Sequence, residues 1–366
     1  MKWSWKLARI AGIDVHVHAT FLLLLGWIGL VGYRRTGTPT GALAGIGFVL
    51  LIFVIVLMHE YGHALAARRY GIPTRDITLL PIGGVARLER MPREPRQELI
   101  VALAGPAVNV VLALLLWIGL AATGSPPDTM TVADERFLSR GLAEQLLRVN
   151  VWLAAFNLIP AFPMDGGRVL RAVLAWRTGN YTAATVRAAQ VGRFFALVFG
   201  LVGLFVINNP VLVFVALFVW LGAAGEAGAV QEQTALAGVP LERVMMTDVR
   251  TLSPHDPLAR ATQLLLAGFQ QDFPVVEGDG TVVGVLTRRD LMAGLQAGGE
   301  MAPVADAMRR EFVVASPQEP IEDALARLQG SGVSALPVVQ GRTLLGLVSM
   351  DNVGEFLMVR AALARS

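Results

Sequence analysis

The chain has 366 residues; 54% are hydrophobic, only 16% are charged, and the mean hydropathy is +0.56. Soluble domains carry about 25% charged residues, so a wholly soluble fold is excluded. The formal charge of +3 is too small to indicate a nucleic-acid partner, and with no cysteine any metal must be held by His, Asp, Glu or water.

The N-terminal stretch MKWSWKLARIAGIDVHVHAT is basic. No small-residue cleavage site follows a short apolar core, so the segment is expected to be retained. Within it, GIDVHVHA alternates like a strand and carries Asp14, His16 and His18. The two histidines are expected in structural hydrogen bonds, with lining a path to a site as the alternative. Six candidate membrane spans follow, at about 19–33, 41–67, 98–122, 146–176, 184–206 and 210–230. The first is short unless residues from Ile13 contribute. NLIPAFPMDGG interrupts the fourth. Pro and Gly at that density break a helix, and irregular backbone at membrane depth needs protein or a water-filled cavity around it. After the second span, TRDITLLPIGGVARLE reads as two strands around Gly83-Gly84.

Basic residues set the orientation. One side takes Lys2, Lys6, Arg9, Arg68, Arg69, Arg75, Arg87, Arg90, Arg93, Arg96, Arg168, Arg171, Arg177 and Arg187. The other takes Arg34, Arg35, Arg136, Arg140 and Arg148, with Asp128, Asp134 and Glu135. The first side, and with it both termini, is expected in the cytoplasm.

The second span ends in His59, Glu60 and His63. On a helix, positions i and i+4 lie about 40° apart around the axis and about 6 Å apart along it. Both imidazoles therefore reach one ion, while Glu60 is placed to touch a water beside it rather than to ligate. Two histidines holding zinc and a glutamate taking a proton from water is the spacing of a zinc hydrolase, in which the ion lowers the water's pKa to about 7. A lone membrane histidine is commonly bonded to a neighbour, but ionisable groups gathered at membrane depth mark function. Asp165 is the candidate third ligand. It is the only acidic residue in the fourth span, it falls on the same side, and Gly166 and Gly167 permit close backbone approach. A turn or helix cap is the alternative for an Asp before Gly-Gly.

Beyond about residue 230 the chain repeats itself. VMMTDVRTLSPHDPL and DFPVVEGDGTVVGVLTRRDL match DAMRREFVVASPQEPI and ALPVVQGRTLLGLVSMDNV, aligning Pro254 with Pro317, Pro274 with Pro337, Gly284 with Gly346 and Thr287 with Ser349. The period of about sixty residues exceeds that of solenoid repeats. Each copy reads strand, helix, strand, strand, helix, and the two should pack as a pseudo-symmetric pair. The expected division is a membrane domain over 1–230, a linker over 231–240 and a soluble domain over 241–366, with repeats at about 241–298 and 303–360.

H-E-x-x-H at a helix end together with Asn157, Pro160, Pro163, Asp165 and Gly166 in N-x-x-P-x-x-P-x-D-G resembles the site-2 protease family of intramembrane zinc metalloproteases. AGPAVN, at 104–109, is similar to that family's third-span motif, and the paired repeats resemble the cystathionine-β-synthase-type (CBS) pair of its archaeal and sporulation branch. Met164 stands where many relatives have leucine. The resemblance implies a polytopic α-helical membrane protein of six spans with short β segments, plus a cytoplasmic α/β tandem CBS domain. It implies one Zn2+ held by His59, His63 and Asp165, with Glu60 as general base and then proton donor to the leaving amine. It implies that Asn157 and Asn109 bind the substrate backbone or the oxyanion; interhelical bonding is the alternative for Asn109. The substrate would be another protein's transmembrane helix, unwound in the bilayer and paired with TLLPIGGVARL by strand addition, Gly83 and Gly84 allowing close approach. A surface hairpin with no substrate role is the alternative. For the CBS pair the implied ligand is ATP or AMP, with Thr287 and Asp290 in the first repeat and Ser349 and Asn352 in the second facing the ribose. Arg288 and Arg289 would face phosphates. Asn352 departs from the acidic pattern, which puts the second site in doubt. A dimerisation module joining two copies of the chain is the alternative. Two rival functions are a CBS-regulated transporter and a protease-like receptor without activity. The spans show no related halves such as transporters carry, and the four site residues are intact.

Overall fold

The computed structural model describes residues 3–81, 83–89, 91–92, 94–123, 141–268 and 270–363. Lys2, Arg90, Arg93, Asp128, Asp134, Glu135, Arg136 and Arg140, used above to orient the chain, lie outside the described residues. The chain divides into two compact units, Met1–Val230 and Gln231–Ser366.

In the first unit, β1 (Ser4–Ile10) and β2 (Ile13–His18) form a hairpin through Ala11 and Gly12, both at positive φ (52° and 85°). The alternation in the sequence marks only β2. A bulge between Lys6 and Ala8 breaks the alternation of β1, and Trp5, Leu7 and Ile10 all lie exposed, so no two-residue period marks it. The chain then runs through α1 (Ala19–Thr36) and α2 (Pro39–Arg68) before returning as β3 (Thr74–Leu80) and β4 (Gly83–Leu88). The sheet order is β1-β2-β3-β4, with β2 and β3 parallel and the outer pairs antiparallel. A parallel neighbour requires a long crossover, and α1 and α2 supply it. β4 is left as an edge.

Thr38 caps α2 and Pro39 opens it, and its 30 residues span about 45 Å. Leu50, Leu51, Val54 and Met58 point outward along it. A helix apolar all round is either deeply buried or lipid-facing. After α3 (Pro95–Ala122), α4 (Leu142–Asn157) and α5 (Asp165–Thr178) come α6 (Tyr181–Leu201), extended by a π turn over Val202–Val206, and α7 (Pro210–Leu236). Among the described residues four helices are long and apolar enough to cross a membrane: α2, α3, α6 with its extension, and α7. The other two expected spans differ. α1 has only 18 residues and ends on Arg34 and Arg35. The fourth is two helices of 16 and 14 residues.

The connection between α4 and α5 is packed inside the unit. Ala161, Phe162 and Met164 are buried against Ala188 and Ala189 of α6, Ala196 further along it, and Val219 and Ala223 of α7. The amide of Met164 bonds to the carbonyl of Ala161 at 3.1 Å. Gly222 makes room for the Pro163 ring, since a Cβ there would come within 2.6 Å of its Cδ. The broken backbone is thus surrounded by protein.

The second unit holds α8 (Leu258–Ala267), β5 (Phe273–Val276), β6 (Val282–Leu286), α9 (Arg288–Gly298), α10 (Val304–Ala307), α11 (Ile321–Ser331), β7 (Ala335–Gln340), β8 (Thr343–Ser349) and α12 (Met350–Leu363). The repeats interlock by exchange. Met246, leading the first repeat, pairs with Leu347 on β8 (N···O 2.8 and 2.9 Å), and Arg309, leading the second, pairs with Val285 on β6 (2.9 and 3.0 Å). Gly284 and Gly346 sit under these crossings, where a Cβ would meet Met308 Sδ and Met246 O at 2.7 Å. Buried Asp272 ties the copies together, accepting from the amides of Arg288 and Ser334 at 3.1 Å each.

Arg309 also reaches Asp290, donating from Nε to Oδ2 at 2.6 Å and from Nη2 to Oδ1 at 3.2 Å, while Thr287 Oγ1 donates to Oδ2 at 2.5 Å. Burial pushes the Asp290 carboxyl up, but the bonds from Arg309 and Thr287 outweigh it and hold it below its ordinary value. A lowered native pKa stabilises above the unfolded value, near 4, and the effect is lost as pH falls through the native one. Arg309→Gln is therefore expected to lower stability at pH 7 by roughly 1 kcal/mol. The gap to the wild type should close in strongly acidic solution, measured by denaturant titrations of the full chain at several pH values.

Candidate metal centre

One turn of α2 carries His59 and His63, and α5 begins with Asp165. His59 Nε2 and His63 Nε2 lie 3.1 Å apart, and Asp165 Oδ2 stands 3.2 and 3.1 Å from them. All three residues are buried. The opposite ring nitrogens are engaged elsewhere. His59 Nδ1 bonds to Asn109 Oδ1 (2.6 Å) and His63 Nδ1 to the Val101 carbonyl (2.7 Å). Both acceptors assign the ring protons to Nδ1 and leave each Nε2 lone pair pointing inward. Two imidazole lone pairs and a carboxylate oxygen converging this closely form a donor set that fits a cation. A tetrahedral ion with bonds of about 2.0 Å has ligand–ligand edges near 3.3 Å, so the triangle fits zinc.

The support comes from one face of α3. Glu98, Val101, Gly105 and Asn109 follow at helical spacing and are all buried. Val101 and Asn109 orient the two histidines. The Asn109 amide continues the chain, donating from Nδ2 to Asn150 Oδ1 on α4 at 3.1 Å, and Asn150 donates to the Leu146 carbonyl at 2.9 Å. Gly105 keeps space open: a Cβ there would collide with His63 Nε2 and stand 2.8 Å from His59 Nε2. Gly62 lets α2 approach, since its Cβ would come within 2.6 Å of the Ala104 carbonyl.

Glu60 is half-buried beside the cluster, and its Oε2 accepts from the Ala86 amide of β4 at 3.1 Å. Gly84 packs directly on it, since a Cβ would lie 2.8 Å from Glu60 Cγ. Gly83 holds φ at 139°, a region that favours glycine. Asn157 closes α4 and is half-buried. His18 caps α1, its Nδ1 lying 2.8 Å from Thr20 Oγ1, and His16 pairs along the sheet between Lys6 and Thr78. Neither joins the metal cluster.

In the second unit, an open cavity of about 840 Å³ borders Ser349 and Asn352, with Met246, Asp272, Asp351 and Glu355 in its wall. Ser349 Oγ donates to Asn352 Oδ1 at 2.9 Å. Thr287, Asp290, Arg288 and Arg289 do not line it.

The sequence reading brought together the triad and Glu60. It gave no part to Gly105, Asn150, the Val101 carbonyl, the Ala86 amide or Arg309. A backbone donor or acceptor carries no side-chain signature, and Gly105 and Arg309 gain meaning only from what they face.

The sequence profile described as Peptidase family M50 matches residues 47–147 and 141–201, and that of the CBS domain matches 241–297 and 304–358. A zinc metalloprotease of Methanocaldococcus jannaschii is 31% identical over 353 residues, covering 96% of each chain. A Mycobacterium tuberculosis protein named for a zinc metalloprotease, Rip3, is 31% identical over 98% of this chain and 94% of its own. The solved site-2 protease of Methanocaldococcus jannaschii is 35% identical, covering 62% of this chain and 95% of that one, with a TM-score of 0.45. The chain belongs to the multi-pass membrane zinc metalloproteases of peptidase family M50. Within that class it is an intramembrane protease of the site-2 type carrying a CBS pair.

Gly105→Ala is expected to leave α3 intact, since alanine is the better helix former. Its methyl group would occupy the space between the histidines. Zinc content of the purified protein, measured by atomic absorption, should fall at least tenfold while circular dichroism is unchanged; full zinc loading would refute the role given to this glycine.

Proposed function

We propose that Glu60 cleaves a substrate strand laid along the free edge of β4, inside a transmembrane segment that has unwound. The observation carrying this is the Ala86 N–H to Glu60 Oε2 bond. β4 ends the sheet, and the N–H of Ala86, a residue in register with Ile77, already bonds to the general base. An extended segment adding to that edge brings a peptide carbonyl beside Glu60 and the triad. His59, His63 and Asp165 would hold zinc, which when bound polarises water and the scissile carbonyl. Glu60 takes the water's proton and delivers it to the leaving amine. Asn157 holds the substrate backbone or the developing oxyanion. Asn109 has both ends of its amide engaged, which favours the interhelical reading: it fixes the His59 ring instead of touching substrate.

α1 and the α4–α5 pair complete six membrane-embedded segments in this reading. Leu22, Leu23, Trp27 and Leu30 support it by giving α1 an outward apolar surface. Lys6, Arg9, Arg68, Arg69 and Arg96 support a cytoplasmic side for the termini and the CBS pair in this reading. Adenine nucleotide modulates the enzyme from the cavity at Ser349 and Asn352. Arg309 occupies the Asp290 carboxylate in the first repeat, whereas its counterpart Met246 leaves Asn352 open. The CBS pair also offers the surface for a homodimer.

Glu60→Gln is expected to cut kcat for a tagged transmembrane substrate by about 10²–10⁴-fold at unchanged zinc content. Equal cleavage by wild type and variant would remove Glu60 from the reaction. Gly84→Val should push β4 off Glu60 and lower kcat/KM about tenfold or more, an effect absent if the hairpin plays no part in substrate binding. In calorimetric titration with AMP and ATP, Asn352→Leu should abolish binding and Asp290→Leu should spare it; the reverse pattern would place the site in the first repeat.

A further inference from the structure

Among the described residues Arg171 is the largest fully buried side chain. It stands on α5, the helix that begins with Asp165. Its Nε donates to Glu98 Oε1 on α3 at 2.7 Å, and its Nη1 donates to Glu226 Oε1 on α7 at 2.5 Å. Its Nη2 also lies 2.5 Å from Glu98 Oε1 as an ion pair, though not aligned for a hydrogen bond. The guanidinium carbon sits 5.1 Å from the Phe162 ring centre and 4.9 Å from that of Tyr181. One cation thus joins α3, α5, α6, α7 and the connection that breaks the fourth span.

Stability alone does not call for this arrangement. Apolar replacements of a buried ion pair are commonly neutral or stabilising. Its placement suggests another role. Glu98 occupies the same α3 face as Val101, Gly105 and Asn109, which hold and flank the histidines. Arg171 lies about 9 Å along α5 from Asp165. The pair therefore fixes how far α5 is advanced along α3, and so where Asp165 Oδ2 stands relative to the two Nε2 atoms. Between Asp165 and Arg171, the first turn of α5 is itself in close contact with the preceding connection: a Cβ on Gly167 would come within 2.6 Å of the Phe162 amide nitrogen.

We propose that Arg171 is a positioning residue for the metal centre: through Glu98 it sets the register of α5 against α3 and so places Asp165 opposite His59 and His63. This rests on Asp165 being a ligand. Arg171→Lys keeps the charge but loses the rigid fork, and Glu98→Gln keeps the shape but loses the charge. The full chain would be purified in detergent for three measurements: zinc affinity by chelator competition, the visible spectrum of the Co2+-substituted protein, and thermal unfolding of the zinc-free form. Both variants should unfold within a few degrees of wild type, bind zinc about 10–100-fold more weakly and show an altered Co2+ spectrum. Their kcat should fall with KM unchanged. Folded variants with wild-type zinc affinity and spectrum would overturn the proposal, and so would unfolding of both variants, which would make the cluster a structural clamp alone. Asp165→Ala separates the two failures: if it binds zinc as the wild type does, the ligand reading falls, not the register argument.

Discussion

The hydrogen bonds from His59 to Asn109 and from His63 to the Val101 carbonyl fix both imidazoles from one face of α3. Without them the rings could rotate or change tautomer, and the inward lone pairs would be lost. The rest of the first unit is arranged around that face. Gly62 brings α2 close enough for the bonds to form, and Gly105 leaves room between the rings. Asn150 satisfies the far end of Asn109, so a chain of polar groups crosses from α2 through α3 to α4 with its members paired. In a low-dielectric surrounding an unpaired member would be expensive, and a complete chain also locks geometry.

The second constraint is that Asp165 must arrive from a different helix at the same depth. A continuous fourth span would carry its side chains along a lipid-facing rod and offer no free helix start. Breaking it creates the N-terminus of α5 with Asp165 as its first residue. Exposed peptide groups are the penalty of such a break, and α6 and α7 meet it with small residues: Ala188, Ala189, Gly222 and Ala223 admit Phe162 and Pro163. The alanine- and glycine-rich character of those helices follows from what they must enclose.

Much of this was legible in the sequence, and the reasons are specific. His59, Glu60 and His63 are readable because a helix converts their spacing directly into a shared face. Asp165 is readable because an acid in an apolar span has few other purposes. β1 was not readable, because its bulge and exposed Trp5 and Leu7 erase the alternation. The length of the spans was only partly readable. The Pro and Gly of NLIPAFPMDGG mark the break between Asn157 and Asp165, but the enclosure of that connection by α6 and α7 is a tertiary fact that hydropathy does not carry. Arg171 looked like a cytoplasmic flanking charge, and only its partners Glu98 and Glu226 show that it is enclosed.

The CBS pair shows how an interlocked duplication adds a difference that aligning the two copies does not register. Aligning the copies makes Asn352 look like the defective position and Asp290 the intact one. The exchange of leading segments brings a third residue to each: Arg309 to Asp290, Met246 to the cavity beside Asn352. The acid in the first repeat is paired with an internal guanidinium, whose bonds hold its pKa low against the effect of burial. The asparagine in the second repeat bonds to Ser349 and borders the open cavity. What distinguishes the two copies is therefore not the residue that departs from the repeat pattern but the cation that the other copy contributes.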